Sequence, residues 1–195
     1  MFYIFSLILS YFLGSIPFGL IITKLFNKGD IRKVGSGNIG ATNVMRVGGL
    51  RMAGLVWILD MAKAIIAVLI GRYVGGMVLA AWCGFAAIVG HCFPVWLKWH
   101  GGKGISCLFG IMLGMNPLLF IICGIEWLIV TLGSGYSSAG GTVVFCLMPI
   151  LGFAMNFGTG IGFLAISLLC LWRHRENIVR LINGKESKVE WKWKK

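Results

Sequence analysis

Between residues 105 and 172 the chain holds a single Asp, Glu, Lys, Arg or His, at Glu126. Soluble domains carry charge at about one residue in four, so a stretch this long and this apolar is solvated by lipid rather than water. A helix that crosses a bilayer takes about 20 largely apolar residues. Inside the hydrocarbon each backbone N–H and C=O must find its partner within the segment, which makes helices the building unit of such runs. Residues 2–23, 52–70 and 77–97 read the same way. With 58% hydrophobic residues in a chain of 195, no length is left for a separate soluble domain. Residues 1–195 are therefore read as one all-α integral-membrane domain. The first run has no basic residue ahead of Lys24 and no small-x-small cleavage pattern, so it is expected to stay as the first span rather than be removed as a signal peptide.

Charge sets the expected orientation. Of the 18 Lys and Arg residues, 16 fall in three places: residues 24–51, residues 98–103 and residue 173 onward. The positive-inside rule puts all three on the cytoplasmic face and the N-terminus outside. Three crossings reach the second basic loop, and an even number, two or four, must return the chain to the basic tail. Breaks at Asn116-Pro117, at residues 133–138 and around residues 151–156 favour four. The expectation is a polytopic bundle of seven transmembrane helices, with five plus re-entrant segments as the alternative. Residues 173–195 then form a cytoplasmic interfacial helix and basic tail, with Trp191-Lys192-Trp193-Lys194-Lys195 as an interfacial anchor.

Lys63 and Arg72 lie outside the basic clusters. Lys63 follows Asp60 by three residues, so the two can neutralise each other within a span, as structure or as part of a site. The six cysteines contain no CxxC pair and read as small buried hydrophobes. The acids are dispersed, so no metal site is expected, and Glu126 has no evident partner.

Three polar segments carry the chemistry. GSGNIGATNVMR, residues 35–46, offers glycines that tolerate positive φ and let amides converge on an anion. Ser36, Asn38, Thr42 and Asn43 add donors, and Arg46 adds a planar fork suited to phosphate. GHCFPVWLKWHGGKG, residues 90–104, places Gly101, Gly102, Lys103 and Gly104 just before a helical run that begins at Ile105. Open amides at a helix start beside a lysine form a phosphate site. It is not a Walker A loop, because Leu97 and Gly104 stand where that motif needs Gly and Ser or Thr. RHRENIVRLINGKE, residues 173–186, puts His174 and Asn177 on one helix face, allows a surface pair between Glu176 and Arg180, and ends at an Asn183-Gly184 cap.

These three motifs, in this order, resemble the signatures of the PlsY-type bacterial glycerol-3-phosphate acyltransferases, and GYSS at residues 135–138 is similar to a further recurrent patch. The resemblance runs from the first span to about Glu186. It implies acyl phosphate as donor, glycerol 3-phosphate as acceptor, lysophosphatidate and inorganic phosphate as products, and residence in the bacterial cytoplasmic (inner) membrane. It implies no cofactor and no coenzyme A. The chain departs from the family pattern at Trp99-His100 and Ile105-Ser106-Cys107.

An acyl phosphate needs no general acid, since phosphate leaves as a stable anion. The task is to hold two anions, aim a hydroxyl and stabilise an oxyanion. The catalytic candidates are His174, Asn177, Lys103 and Arg46. Ser36, Gly37, Asn38, Gly40, Thr42, Asn43, His91, Gly101, Gly102, Gly104 and Ser138 are the candidates for substrate and phosphate binding. The proton acceptor is left open among His174, His91 and a substrate phosphate. The acyl tail is expected in a groove between helices, where Gly110, Gly114 and Ala139 either line it or pack the core. Membrane lipids surround a chain expected to work as a monomer, without nucleic acid. A transporter for a phosphorylated solute is the main rival reading, followed by a metal-dependent phosphatidyltransferase and a non-catalytic anchor.

Overall fold

The computed structural model describes residues 1–189, which consist of helices and connecting loops; the proposed anchor at residues 191–195 lies outside them. The first apolar run is not one helix. Pro17 has no N–H to continue a helix, and the run divides into α1 (Phe2–Gly14) and α2 (Phe18–Leu25).

After the first polar loop comes α3 (Ala41–Cys92), whose 52 residues contain non-helical backbone at Gly49, Gly75 and Gly76. Gly76 has φ 72°, a conformation that glycine adopts without steric cost, and there the chain reverses. Lys63 Nζ lies 3.0 Å from His91 Nδ1, although 28 positions separate them; in a straight helix they would be about 42 Å apart. A Cβ on Gly71 would lie 2.7 Å from the Ala80 Cα, so the arms touch near the turn. α3 is therefore a short helix at residues 41–48 followed by an antiparallel hairpin of residues 50–74 and 77–92. The spacing of glycines marks the turn at 71–76, but the helix persists to residue 74 and only the last two glycines bend.

α1 lies along the second arm. Gly14 rests on the Ala87 backbone and Gly90 on the Tyr11 backbone, the close approach that small residues permit in membrane helices. The Tyr11 hydroxyl donates to the Phe93 carbonyl at 2.8 Å. A methyl group on Gly90 would overlap the Tyr11 carbonyl oxygen. Gly90→Ala is thus expected to cost about 1–3 kcal/mol through overpacking, read as an earlier unfolding midpoint in detergent. Gly133→Ala, where nothing lies within 4 Å, should leave the midpoint in place or raise it.

The rest of the chain is α4 (Ile105–Met115), α5 (Pro117–Ser134), α6 (Ser137–Met155) and α7 (Phe157–Ile182). The connections use ordinary stop and start signals. The Asn116 side chain accepts from the Leu118 N–H at 2.9 Å with Pro117 at the first helical position, and Asn156 accepts from the Thr159 N–H at 2.8 Å. Gly135 turns the chain at φ 81°. Residues 173–182 continue α7 without a break. Gly110 and Gly114 pack against Met61 and Val68, so they bring α4 close to the first arm of the hairpin. Ile88, Cys107, Ile111, Met112, Phe145 and Phe163 fill the centre between the hairpin, α4, α6 and α7. Five cysteines are buried and Cys146 is exposed, all as free thiols.

By length and composition five helical stretches are apolar enough to cross a membrane: Phe2–Leu25, Ala41–Leu97, Pro117–Ser134, Ser137–Met155 and Phe157–Ile182. The hairpin makes Ala41–Leu97 a double pass in geometry. α4, with 11 residues, is only about 16 Å long. Before it, residues 98–100 are exposed and residues 101–104 pack beside the end of the hairpin. There the Gly101 and Gly102 N–H groups donate to the carbonyls of Cys92 and His91 at 3.1 and 3.0 Å.

Candidate active site

Parts of all three motifs and of the 135–138 patch line one cavity of about 1300 Å³. From the first motif come Ser36, Asn38, Gly40, Thr42, Asn43 and Arg46, from the second His91, Lys103 and Gly104, and from the third His174 and Asn177, with Ser138 between them. Gly37, Gly101 and Gly102 do not line it. Gly37 holds a left-handed turn at φ 69°. Gly101 and Gly102 have their backbone groups engaged on both sides, because Arg173 donates to their carbonyls at 3.0–3.2 Å while their N–H groups bind the hairpin end. Arg173 is thus a clamp on the second loop, and it stacks over Phe93 at 5.3 Å.

The first loop is shaped from within. The Asn43 amide nitrogen faces the carbonyls of Val34 and Asn38 at 2.9 Å and of Ile31 at 3.3 Å, and its oxygen accepts from the Ser36 N–H at 3.0 Å. Asn38 Oδ1 accepts from the Gly40 N–H at 2.8 Å. The Asn43 amide is engaged at both ends in holding the loop, whereas Asn38 uses only its oxygen for this and lines the cavity. What the loop presents to the cavity is the start of the 41–48 helix. The Asn43 and Val44 N–H groups bind the Gly40 carbonyl, which leaves the amides of Ala41 and Thr42, both cavity-lining, at the positive end of that helix. Among the described residues Arg46 makes no ion pair or side-chain hydrogen bond, so its fork is available.

At the start of α4, Gly104 takes φ 93°, and Lys103 reaches Asn177 Oδ1. Asn177 Nδ2 donates to Glu186 at 2.6 Å, joined there by the Ser138 hydroxyl at 2.9 Å and Arg180 at 2.7 Å. Burial raises the Glu186 pKa, but these three donors outweigh it and hold the carboxyl below its usual range. For Lys103, burial and the Arg180 charge lower the pKa, against the pull of Glu176 and Glu186. Asn177 therefore orients Lys103. The expected Glu176–Arg180 pair does not form: Arg180 pairs with Glu186, and Glu176 lies 3.9 Å from Arg175. The chain after α7 folds back over the α5–α6 turn, where the Val189 N–H donates to the Gly135 carbonyl at 2.8 Å, and this return brings Glu186 into the site.

The two cavity histidines have different partners at Nδ1. His174 Nδ1 lies 2.9 Å from the Cys170 carbonyl; a carbonyl can only accept, so Nδ1 carries the proton and Nε2 keeps a free lone pair. Its ring packs on Phe145 at 5.0 Å. His91 Nδ1 instead faces Lys63 Nζ at 3.0 Å. Asp60, His91 and Cys107 place ligand-type atoms within 4.8 Å of one another. The Lys63 ammonium, 2.7 Å from Asp60 Oδ1, already supplies the positive charge there.

Away from the polar end the cavity continues between the first hairpin arm and α5. Leu50, Ala53, Trp57, Phe109, Phe120 and Leu128 line this part, and Gly54 and Gly124, not Gly110, Gly114 or Ala139, are the small residues along it.

Residues 4–184 match the family described as glycerol-3-phosphate acyltransferase. The glycerol-3-phosphate acyltransferase of Rhizobium meliloti (strain 1021) is 41% identical over 184 residues, covering 94% of this chain and 90% of the relative. That of Bradyrhizobium diazoefficiens is 42% identical over 186 residues, covering 94% and 93%. The crystal structure of PlsY (YgiH), an integral membrane glycerol 3-phosphate acyltransferase in its glycerol 3-phosphate form, superposes with a TM-score of 0.91 at 34% identity over 96% of both chains. Its lysophosphatidic acid form gives 0.87 over 97% of this chain and 96% of that one. A match over nearly the full length, by motif, sequence and backbone alike, means that the chain belongs to the glycerol-3-phosphate acyltransferase family.

Proposed function

We propose that this chain transfers a fatty acyl group from acyl phosphate to a hydroxyl of glycerol 3-phosphate, giving lysophosphatidate and inorganic phosphate. The observation that carries the reading is one cavity with a cationic, amide-lined end and an apolar extension between helices, the shape required by a polar acceptor meeting an acyl chain. The glycerol 3-phosphate and lysophosphatidic acid forms of the solved relative support the acceptor and the product.

In this reading Arg46, Lys103, Ser36, Thr42 and the amides of Ala41 and Gly104 hold phosphate oxygens, while Asn38, Asn43, Gly37, Gly40, Gly101 and Gly102 shape the loops that present them. Asn177 and Ser138 act through Glu186 and Lys103. His174 Nε2 takes the proton as the acceptor oxygen bonds to the acyl carbon. The bond from that carbon to the phosphate oxygen then breaks, and phosphate leaves as the anion. No metal or organic cofactor enters the step, and neither coenzyme A nor nucleic acid has a part in it. The whole chain acts as one domain and as a monomer among membrane lipids.

The same reading assigns seven crossings, with the N-terminus outside and the loops facing the cytoplasm across the bacterial inner membrane. The gathering of residues 35–46, 103–106 and 186–189 around one cavity, opposite the Gly75-Gly76 turn, supports it. Purified protein is expected to release phosphate from acyl phosphate only when glycerol 3-phosphate is supplied. Release without acceptor, or uptake of glycerol 3-phosphate into vesicles with no release, would overturn the assignment, the second in favour of transport.

A further inference from the structure

We infer that the buried Asp60–Lys63 pair is a positioning device that fixes His91 in the Nε2–H tautomer, making it a neutral hydrogen-bond donor into the cavity rather than a base. The catalytic part of this inference rests on the acyl-transfer reading above; the tautomer does not.

A lysine ammonium has three N–H bonds. Lys63 Nζ hydrogen-bonds the Ile16 carbonyl at 2.8 Å and His91 Nδ1 at 3.0 Å and is ion-paired with Asp60 Oδ1 at 2.7 Å, an oxygen that lies farther from His91 Nδ1, at 3.7 Å. Asp60 and Lys63 are 1% and 3% exposed, so no solvent can take over any of these contacts. If His91 carried a proton on Nδ1, two donors would face each other at 3.0 Å in a medium where an unpaired polar group costs several kcal/mol. A charged lysine, a charged carboxylate and a neutral imidazole protonated on Nε2 keep both Lys63 hydrogen bonds and the ion pair with Asp60; a neutral lysine accepting from an Nδ1–H would forfeit that ion pair. Ile16 lies in the break between α1 and α2, Asp60 and Lys63 on the first hairpin arm and His91 at the end of the second, so the cluster joins three segments.

Nε2 lies against the second loop. A methyl on Gly102 would strike Nε2 and Cε1 of His91, and His91 lines the cavity next to Lys103 and Gly104. An Nε2–H there sets a fixed dipole against the second loop, on a residue that lines the cavity together with Lys103 and Gly104. That is the place where a phosphoryl or carbonyl oxygen gains charge during transfer, and a preorganised neutral donor is most effective there. With His174 held in the opposite tautomer, the cavity has one imidazole that gives a hydrogen bond and one that can receive a proton.

The test uses the full-length protein in detergent, labelled with ¹⁵N-histidine. His91, His100 and His174 are the only histidines, and His100→Gln and His174→Gln variants assign the signals. The resting protein is expected to show His91 protonated on Nε2 and bare at Nδ1; an Nδ1–H signal, or a rapidly averaging pair, would overturn the inference. Asp60→Leu with Lys63→Met removes both charges while keeping volume, a replacement that buried ion pairs often tolerate. In that variant His91 should lose its single tautomer, and kcat should fall about tenfold or more with KM little changed. A variant that folds, keeps the wild-type tautomer and keeps kcat would refute the positioning role. Failure of the acyl-transfer reading looks different: the wild-type chain is inactive while the His91 signal still reports Nε2–H. Should the double variant not fold, the wild-type spectrum alone decides the tautomer.

Discussion

Lys103→Ala is expected to abolish acyl transfer, with kcat/KM down about 10³-fold or more. Lys103 stands where the second polar loop meets the start of α4, half-buried in the cavity and directed by Asn177, which is itself held by Glu186. Few other charges share its work. Arg46 approaches from the opposite wall, and Arg180 is paired with Glu186. Removing the ammonium leaves two anionic reactants with one cation fewer where water is scarce, and so weakens both ground-state capture and stabilisation of developing charge. Wild-type levels of turnover in Lys103→Ala, with an unchanged unfolding midpoint, would remove the lysine from the mechanism. Lys103→Arg should recover only a small part of the loss, since a planar fork cannot fill the place of a point charge that bonds Asn177.

The second large effect is expected at His174. Its Nδ1–H is committed to the Cys170 carbonyl and its ring to Phe145, so Nε2 is the basic atom presented to the acceptor. His174→Gln preserves size and hydrogen bonding but not basicity, and kcat should fall about 10²–10⁴-fold with binding of glycerol 3-phosphate nearly intact. Near-complete turnover in this variant would pass the proton to a substrate phosphate. His91→Gln provides the contrast: if His91 acts as a donor, an amide N–H can partly replace it, and the loss should be smaller than at His174.

Much of this architecture is legible in the chain because lipid imposes strong local rules. Asn116-Pro117, Gly135 and Asn156 announce helix ends by their own backbone chemistry, and the density of glycine and amide in residues 35–46 announces a shaped loop. Local rules cannot show which way a side chain turns. Asn43 reads as a ligand to phosphate, yet its amide closes the loop, and Gly101 and Gly102 serve the clamp formed by Arg173. The Glu176–Arg180 spacing of four suggests a helical pair, but Arg180 goes to Glu186 because the chain folds back after α7, a long-range event with no periodic signature. The cluster of Asp60, Lys63 and His91 is hidden for the same reason. The first two were readable as a pair, and the third arrives only through the hairpin turn at Gly75-Gly76.

The brevity of α4 has a consequence for how a lipid reactant is handled. α4 and α5 meet at Asn116, but α4 has 11 residues and α5 has 18, so α4 is roughly 10 Å the shorter. In the proposed reaction this would draw the ionic reactant down to the depth of the fatty tail, instead of the tail being hauled up to water. Exposing tail methylenes over that distance would cost about 0.8 kcal/mol for each one. A well sunk beside a truncated helix lets the greasy partner react where it already dissolves.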